Sequence, residues 1–282
     1  MSSYIEVKNV SKSFGGKAIL QDVSLSIEQG TAVGLVGANG SGKSVLFKIL
    51  CGFEKPDQGS VYVRGKQLGK NGRDFPESLG VFINSPGFIG IYSGFQNLKF
   101  LADIQGKIGE KEIRQAMGKV GLDPDNKTKV DNYSLGMKQK LGIAQAIMEG
   151  QDILILDEPF NALDYKTYED VKAIIRMLKA EGKTIFLTSH HFKDIEQLCD
   201  QVYSIEDCRL IPITEEIAAA IERWNNPLKA IRKVAAGRRQ RKKVVVQQSY
   251  QYAYKNGGFE FQSRRFFALA QTNDDLQGHG SQ

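Results

Sequence analysis

The sequence predicts an α/β protein whose mainly parallel sheet is covered by helices on both faces, with a helical insertion in the middle. Three observations carry this. Thr31–Val36, Asp152–Leu156 and Thr184–Thr188 are short apolar runs without polar alternation, as strands buried on both faces require. Segments of helical spacing follow each of them, which implies crossover connections and parallel pairing. Between the first two runs lies a stretch of about residues 85–145 whose apolar residues recur at spacings near 3 and 4.

The elements follow in order. Tyr4–Val7 and Val23–Ile27 alternate and predict strands with one buried face, separated by a turn at Gly15-Gly16. The buried strand at 31–36 ends in a glycine-rich loop, and Val45–Leu50 follows as a helix stopped near Gly52. Val61–Lys66 reads as a hairpin with a glycine turn. Asn97–Ile104, Glu110–Val120 and Ser134–Met148 are the helices of the insertion. After the second buried strand comes a charged helix, Tyr168–Ala180, and after the third a short one at Ile195–Cys199. Beyond Leu210 the pattern fades. Glu215–Trp224 reads as a further helix and Tyr250–Tyr254 as a strand-like alternation.

Composition sets outer limits. A hydrophobic fraction of 41% with 25% charged residues suits a globular chain with a sizeable core. No run of 18 apolar residues is present, so no membrane span is expected, and the N-terminus lacks the pattern of a secretory signal. Cys51, Cys199 and Cys208 are too few and too scattered for a disulfide framework or a zinc site, and they suggest free thiols in a reducing compartment. The net charge of +6 is unevenly placed. Residues 1–210 hold 26 Lys+Arg and 26 Asp+Glu, while residues 211–282 hold 12 against 6. The imbalance therefore belongs to the tail.

Gly37, Ala38, Asn39, Gly40, Ser41, Gly42, Lys43 and Ser44 fit G-x-x-x-x-G-K-[S/T]. Glycines allow the backbone to curl so that successive N–H groups converge on phosphate oxygens, and the next helix adds its N-terminal donors. Lys43 can reach the β- and γ-phosphates, and the Ser44 hydroxyl can bind Mg²⁺. A buried strand before the loop and a helix after it supply the context this chemistry needs. The run Asp152–Leu156 then delivers Asp157 and Glu158 at its C-terminal end, where ligands gather in parallel sheets. Neighbouring carboxylates on a strand point to different sides. That division suits a metal ligand, Asp157, and a water-orienting base, Glu158, as phosphoryl transfer demands.

With these two motifs on one chain, residues 4–210 resemble the ATP-binding subunit of an ABC transporter. The resemblance implies a P-loop NTPase cassette: a RecA-like mixed or parallel sheet core, an antiparallel β subdomain and a helical signature subdomain, followed by a basic C-terminal extension at 211–282. ATP and Mg²⁺ are the implied ligands. Phe14 stands where the family carries an aromatic that stacks on adenine. Tyr133-Ser134-Leu135-Gly136-Met137-Lys138-Gln139 stands at the signature loop, most often L-S-G-G-Q; Ser134 and Gly136 match, whereas Leu135 and Met137 depart. In the family this loop (here Ser134, Gly136 and Met137) contacts the nucleotide held by a second ATPase subunit. Asn161–Asp164 resembles the loop that crosses that dimer interface, and His190 matches the histidine that contacts the γ-phosphate. Asn84 occupies the place of a glutamine that reaches metal and water, and it is one methylene shorter. With the Y-S-L-G-M-K-Q signature, this departure looks most like the subfamily that exports or resists bacteriocins and peptide antibiotics.

Implied partners are a transmembrane permease and a second ATPase subunit, either a second copy or a paralogue, with the chain peripheral on the cytoplasmic face of the membrane. The stretch Gly87–Phe100, with Phe88, Ile89, Ile91, Tyr92 and Phe95, is where the family docks its permease, although core packing explains those residues equally well. A soluble relative acting on ribosomes or nucleic acid remains an alternative, but such proteins carry paired cassettes or long coiled-coil insertions that this sequence lacks. Nucleic acid is therefore not an expected partner. For the tail, with Arg238–Lys243 and its nearby aromatics, RNA contact, an anionic membrane surface and a variable packing extension all stay open.

Overall fold

The computed structural model describes residues 3–70, 75–83, 87–189 and 192–213. Expectations for Asn84, His190 and the tail from residue 214 onward lie outside these residues. The described residues belong to one compact unit, Met1–Thr214. The cut expected at residue 210 falls inside its last strand.

In chain order the elements are β1 (Ile5–Phe14), β2 (Lys17–Ile27), β3 (Ala32–Val36), α1 (Lys43–Leu50), β4 (Gln58–Val63), β5 (Lys66–Gln67), β6 (Leu79–Phe82), α2 (Gly94–Gln105), α3 (Glu110–Lys119), a 3₁₀ turn at Val130–Asn132, α4 (Leu135–Ile147), β7 (Ile153–Leu156), α5 (Tyr165–Ala180), β8 (Thr184–Thr188), α6 (Phe192–Leu198), β9 (Gln201–Glu206) and β10 (Arg209–Pro212). Two sheets form among the described residues. One is antiparallel, in the order β2-β1-β4-β5; the other is mixed, in the order β10-β9-β3-β8-β7-β6. In the second, every pairing from β9 through β6 is parallel and only β10 on β9 is antiparallel.

The apolar runs lack alternation because their two faces feed two cores. Ala32, Leu154, Leu156, Ile185 and Leu187 pack with the helices α2 to α6. Val33, Leu35, Ile153, Ile155 and Phe186 pack with α1 and the antiparallel sheet, where Phe47 meets Phe186 edge-on at 6.3 Å. Each strand is thus apolar on consecutive residues, and its charged groups are confined to its end.

Strand β1 runs seven residues beyond the expected Tyr4–Val7. Its pattern breaks because the register shifts between Val7 and Val10, with Asn9 in a left-handed conformation at φ 48. Past this bulge Val10 returns to the core. A Cβ on Gly59 of β4 would lie 2.3 Å from the Lys8 carbonyl oxygen, so only glycine lets β4 pass the bulge. Helix α2 starts three residues earlier than its apolar spacing suggests, because Ser93 and Gln96 form a capping box. Helix α5 likewise starts at Tyr165, capped by the Asp164 carboxylate on the Thr167 N–H at 3.0 Å.

Candidate functional site

Strand β3 ends at Val36, and the chain enters α1 through Gly37, Gly40 and Gly42, all at positive φ (143, 78 and 112). At two of them a side chain would be crowded as well as strained by the positive φ. A Cβ on Gly37 would sit 2.9 Å from Ser41 Oγ, and one on Gly42 would sit 3.1 Å from the Ile19 carbonyl oxygen. Gly42 is the N-cap of α1 and supplies no side-chain cap, so the first N–H groups of the helix remain available to a ligand. Lys43 folds back across the loop and donates to the carbonyl oxygens of Gly37 at 2.7 Å and Ala38 at 3.1 Å. Burial lowers its pKa below the ordinary lysine value, while the Glu158 and Asp157 carboxylates oppose that shift. Ser41 Oγ is buried without a hydrogen-bond partner among the described residues. A phosphate group would satisfy that donor and the helix N–H groups together.

The parallel register brings the acidic strand end to this loop. Leu156 of β7 lies opposite Leu187 of β8 and Phe82 of β6, so the next residues, Asp157 and Thr188, fall side by side at the sheet edge. Ser44 Oγ donates to Asp157 Oδ2 at 3.0 Å, and Thr188 Oγ1 donates to Asp157 Oδ1 at 2.7 Å. The same Thr188 oxygen accepts from the Glu158 backbone N–H at 2.8 Å. Glu158 adopts φ 53, which is costly for a residue with a side chain. The oxygen pair of Ser44 and Asp157 is a hard-donor set suited to Mg²⁺.

A buried charge cluster braces the loop after β8. Asp194 on α6 has no exposed surface; it accepts from Ser189 Oγ at 3.2 Å and from the Tyr168 hydroxyl, and it pairs with Lys172 Nζ at 3.2 Å. Lys172 also donates to Gln197 Oε1 at 2.8 Å. Burial and the bond to Asp194 raise the Tyr168 hydroxyl pKa above its ordinary value. Tyr168 in turn stacks at a tilt against Phe160, just beyond Glu158, at 5.5 Å.

On the helical side, Ser134 caps α4 by accepting from the Met137 N–H at 3.2 Å. Gly136 packs so tightly on α5 that an added Cβ would lie 2.3 Å from Thr167 Cγ2. Thr167 also donates to Asp164 Oδ2 at 2.7 Å, so the Ser134–Met137 loop and the Asn161–Asp164 loop share one contact residue. A cavity of about 290 Å³ opens beside them, lined by Ser134, Gly136, Met137, Asp123, Lys140 and Thr167. Phe14 stands at the tip of the β1–β2 hairpin, 47% exposed.

Loop, strand end and α1 thus form one constellation, whereas Ser134, Gly136 and Met137 sit on the helical lobe with the 161–164 loop. Thr188, Lys12, Asp194 and Thr167 were not singled out by sequence. Thr188 and Lys12 have their partners on other elements and Asp194 is held chiefly from α5, whereas Thr167 bonds Asp164, the cap of its own helix.

The family described as ABC transporter matches residues 20–161. An uncharacterized ABC transporter ATP-binding protein of Bacillus subtilis (strain 168), YybJ, is 43% identical over 206 residues, 73% of this chain and 94% of that protein. The bacitracin transport ATP-binding protein BcrA of Enterococcus faecalis is 34% identical over 212 residues, 75% of this chain and 69% of that protein. The lantibiotic transport ATP-binding protein SrtF of Streptococcus pyogenes is 35% identical over 207 residues, 73% of this chain and 89% of that protein. Among solved structures, the dimeric cassette MJ0796 superposes with a TM-score of 0.64 at 23% identity, over 73% of this chain and 96% of that one. With cbiO1 from Clostridium perfringens the TM-score is 0.68 at 22% identity, over 83% of this chain and 100% of that one. The fold, the phosphate loop facing the acidic strand end, and these relatives agree: the chain belongs to the ABC transporter family, as an ATP-binding subunit with ATPase activity.

Proposed function

We propose that this subunit binds ATP between Phe14 and the loop of residues 37–44, and hydrolyses it with Glu158 as the water-activating base. The 3.0 Å contact between Ser44 Oγ and Asp157 Oδ2, at the mouth of a loop filled by Lys43, carries the reading. It puts the two oxygens that would hold Mg²⁺ next to the donors that would hold phosphate. When bound, Mg²⁺ neutralises charge on the β- and γ-phosphates.

The chain's own groups do the rest. Lys43 exchanges its two carbonyl partners for phosphate oxygens and stabilises their negative charge. The α1 N-terminus and Ser41 Oγ bind further phosphate oxygens. Asp157 is held by Thr188, so it keeps its orientation when Ser44 turns to the ligand. Glu158 takes a proton from the attacking water. His190 and Asn84, outside the described residues, complete the set as γ-phosphate and water or metal contacts.

A second ATPase subunit, a copy or a paralogue, supplies Ser134, Gly136 and Met137 to the same nucleotide. Their seat on the helical lobe, apart from residues 37–44, supports a shared site. A separate permease docks on the stretch Gly87–Phe100, where Ile89, Ile91 and Phe100 are exposed large apolar side chains. Phe88 and Phe95 pack against the core, so only the exposed side chains of the stretch support docking. Among the described residues no helix is long and apolar enough to cross a membrane, which agrees with a peripheral place on the membrane's cytoplasmic face. The cassette then runs from residue 4 through the end of β10, and the basic extension follows it. The names of BcrA and SrtF, bacitracin and lantibiotic transport proteins, support a peptide antibiotic as the cargo served.

A titration of the full chain with ATP, with and without Mg²⁺, tests the reading. Binding strengthened by Mg²⁺ in the native protein, and lost in Lys43→Ala, is the expected result. Equal affinity of native protein and variant would overturn it.

A further inference from the structure

Two ends of one nucleotide need a fixed separation. In this chain they are held by different units: the phosphate end by α1 and its loop, the base end by Phe14 at a hairpin tip. That tip is a two-glycine turn, with Gly15 and Gly16 at φ 55 and 79, and nothing lies within 4 Å of either Cβ position. By itself such a tip would be free to swing.

Lys12 closes the gap. It is 9% exposed although it is a lysine. Its ammonium pairs with Glu54 at 2.7 Å and Asp57 at 3.1 Å, and donates to the Lys55 carbonyl oxygen at 2.8 Å. The backbone joins in: the Ser13 N–H donates to Asp57 Oδ2 at 2.7 Å, and the Asp57 N–H donates to the Ser11 carbonyl oxygen at 2.9 Å. Residues 54–57 are in turn anchored on α1, because the Phe53 and Glu54 N–H groups donate to the Lys48 carbonyl oxygen at 2.9 and 3.1 Å. A continuous chain of contacts thus runs from the helix that begins at Lys43 to the base of the hairpin tip. The same ammonium lies 5.1 Å from the centroid of the Phe14 ring, so it takes one face of that ring. The bond to Glu54, with help from Asp57, raises the Lys12 pKa above its ordinary value against the opposing effect of burial.

We propose that Lys12 is a positioning residue for nucleotide recognition. It fixes Phe14 at a set distance from the phosphate loop and covers one ring face, leaving the other for the base. The inference rests on the reading of Phe14 as the base-stacking side chain. It makes Lys12, Glu54 and Asp57 determinants of affinity for a nucleoside triphosphate, and irrelevant to a bare polyphosphate.

The test measures dissociation constants for ATP and for inorganic tripolyphosphate, both with Mg²⁺, on the full chain, together with KM and kcat. Lys12→Met weakens ATP about threefold to thirtyfold. Tripolyphosphate affinity and kcat at saturating ATP stay unchanged, and Lys12→Arg recovers most of the loss. Asp57→Asn, on the exposed side of the latch, gives a smaller loss in the same direction and carries the test if Lys12→Met does not fold. Two results overturn the inference: ATP affinity unchanged in both variants, or ATP and tripolyphosphate weakened by the same factor. Phe14→Ala separates the layers. If it weakens ATP about tenfold and Lys12→Met does not, only the Lys12 inference fails. If Phe14→Ala binds ATP like the native chain, the stacking reading fails and the Lys12 inference falls with it.

Discussion

Replacing Thr188 by valine keeps the shape of a fully buried side chain and removes one oxygen. That oxygen has two partners: it donates to Asp157 Oδ1 at 2.7 Å and accepts from the Glu158 N–H at 2.8 Å. A hydrogen bond to a charged group contributes about 1.5–3 kcal/mol, and a buried N–H left without a partner costs about 1–3 kcal/mol. The added methyl recovers little in a closely packed site. The expected destabilisation is about 3 kcal/mol, or about 6–12 °C in Tm for a chain of this size. ATP turnover falls with it, because Asp157 loses the group that fixes its second oxygen and Glu158 loses its backbone tether. Thr188→Ser keeps the oxygen and forfeits only a methyl, so it costs about 1 kcal/mol and retains most of the activity. Thermal and urea denaturation of both variants, with phosphate release at saturating ATP, make the comparison. A valine variant within about 1 kcal/mol of the native protein and equally active would refute the reasoning. So would a serine variant as damaged as the valine one.

Other consequences are as direct. Lys172→Met leaves the Asp194 charge buried and unpaired and destabilises by about 3–5 kcal/mol, whereas Lys172→Met with Asp194→Asn recovers most of the loss in urea denaturation; a double variant as unstable as the single one would contradict the pairing. Burial pushes the Cys51 and Cys199 thiols up to about 12 from an ordinary value of 9.0. The folded chain therefore holds these protons longer than the unfolded one, and stability declines as pH rises from 9 toward 12. At pH 8 both thiols resist iodoacetamide until the chain is unfolded, which mass spectrometry of the labelled protein checks. Gly136→Ala forces a Cβ to within 2.3 Å of Thr167 Cγ2 and destabilises by about 1–3 kcal/mol despite alanine's better helix propensity. Thr167→Ala in the same chain relieves part of that loss, and no relief would show the clash to be elsewhere.

The phosphate loop and the acidic strand end were legible because their chemistry is local. Eight consecutive residues make the loop, and β7 carries its carboxylates at its own end. The two-faced burial of β3, β7 and β8 was legible for the same reason, as continuous apolar runs. Boundaries were less so. The Asn9 bulge hid most of β1 from a period-two reading, and the caps at Ser93 and Asp164 started α2 and α5 ahead of their apolar spacing. Thr188 could not be read as a partner of Asp157, since only the β7–β8 register makes them neighbours 31 positions apart. Lys12 is another such case. In the sequence it is one lysine of a strand, and its meaning comes from a loop more than forty residues away.

The account's central claim is that Glu158 activates water for ATP hydrolysis at a site built by residues 37–44 and Asp157. Glu158→Gln tests it most directly, since it keeps the size and hydrogen-bonding capacity of the side chain and removes the charge. Phosphate release under saturating Mg²⁺–ATP should fall about a hundredfold or more, while ATP affinity stays at the native value. Phosphate release at the native rate in this variant, with ATP bound, would contradict the claim.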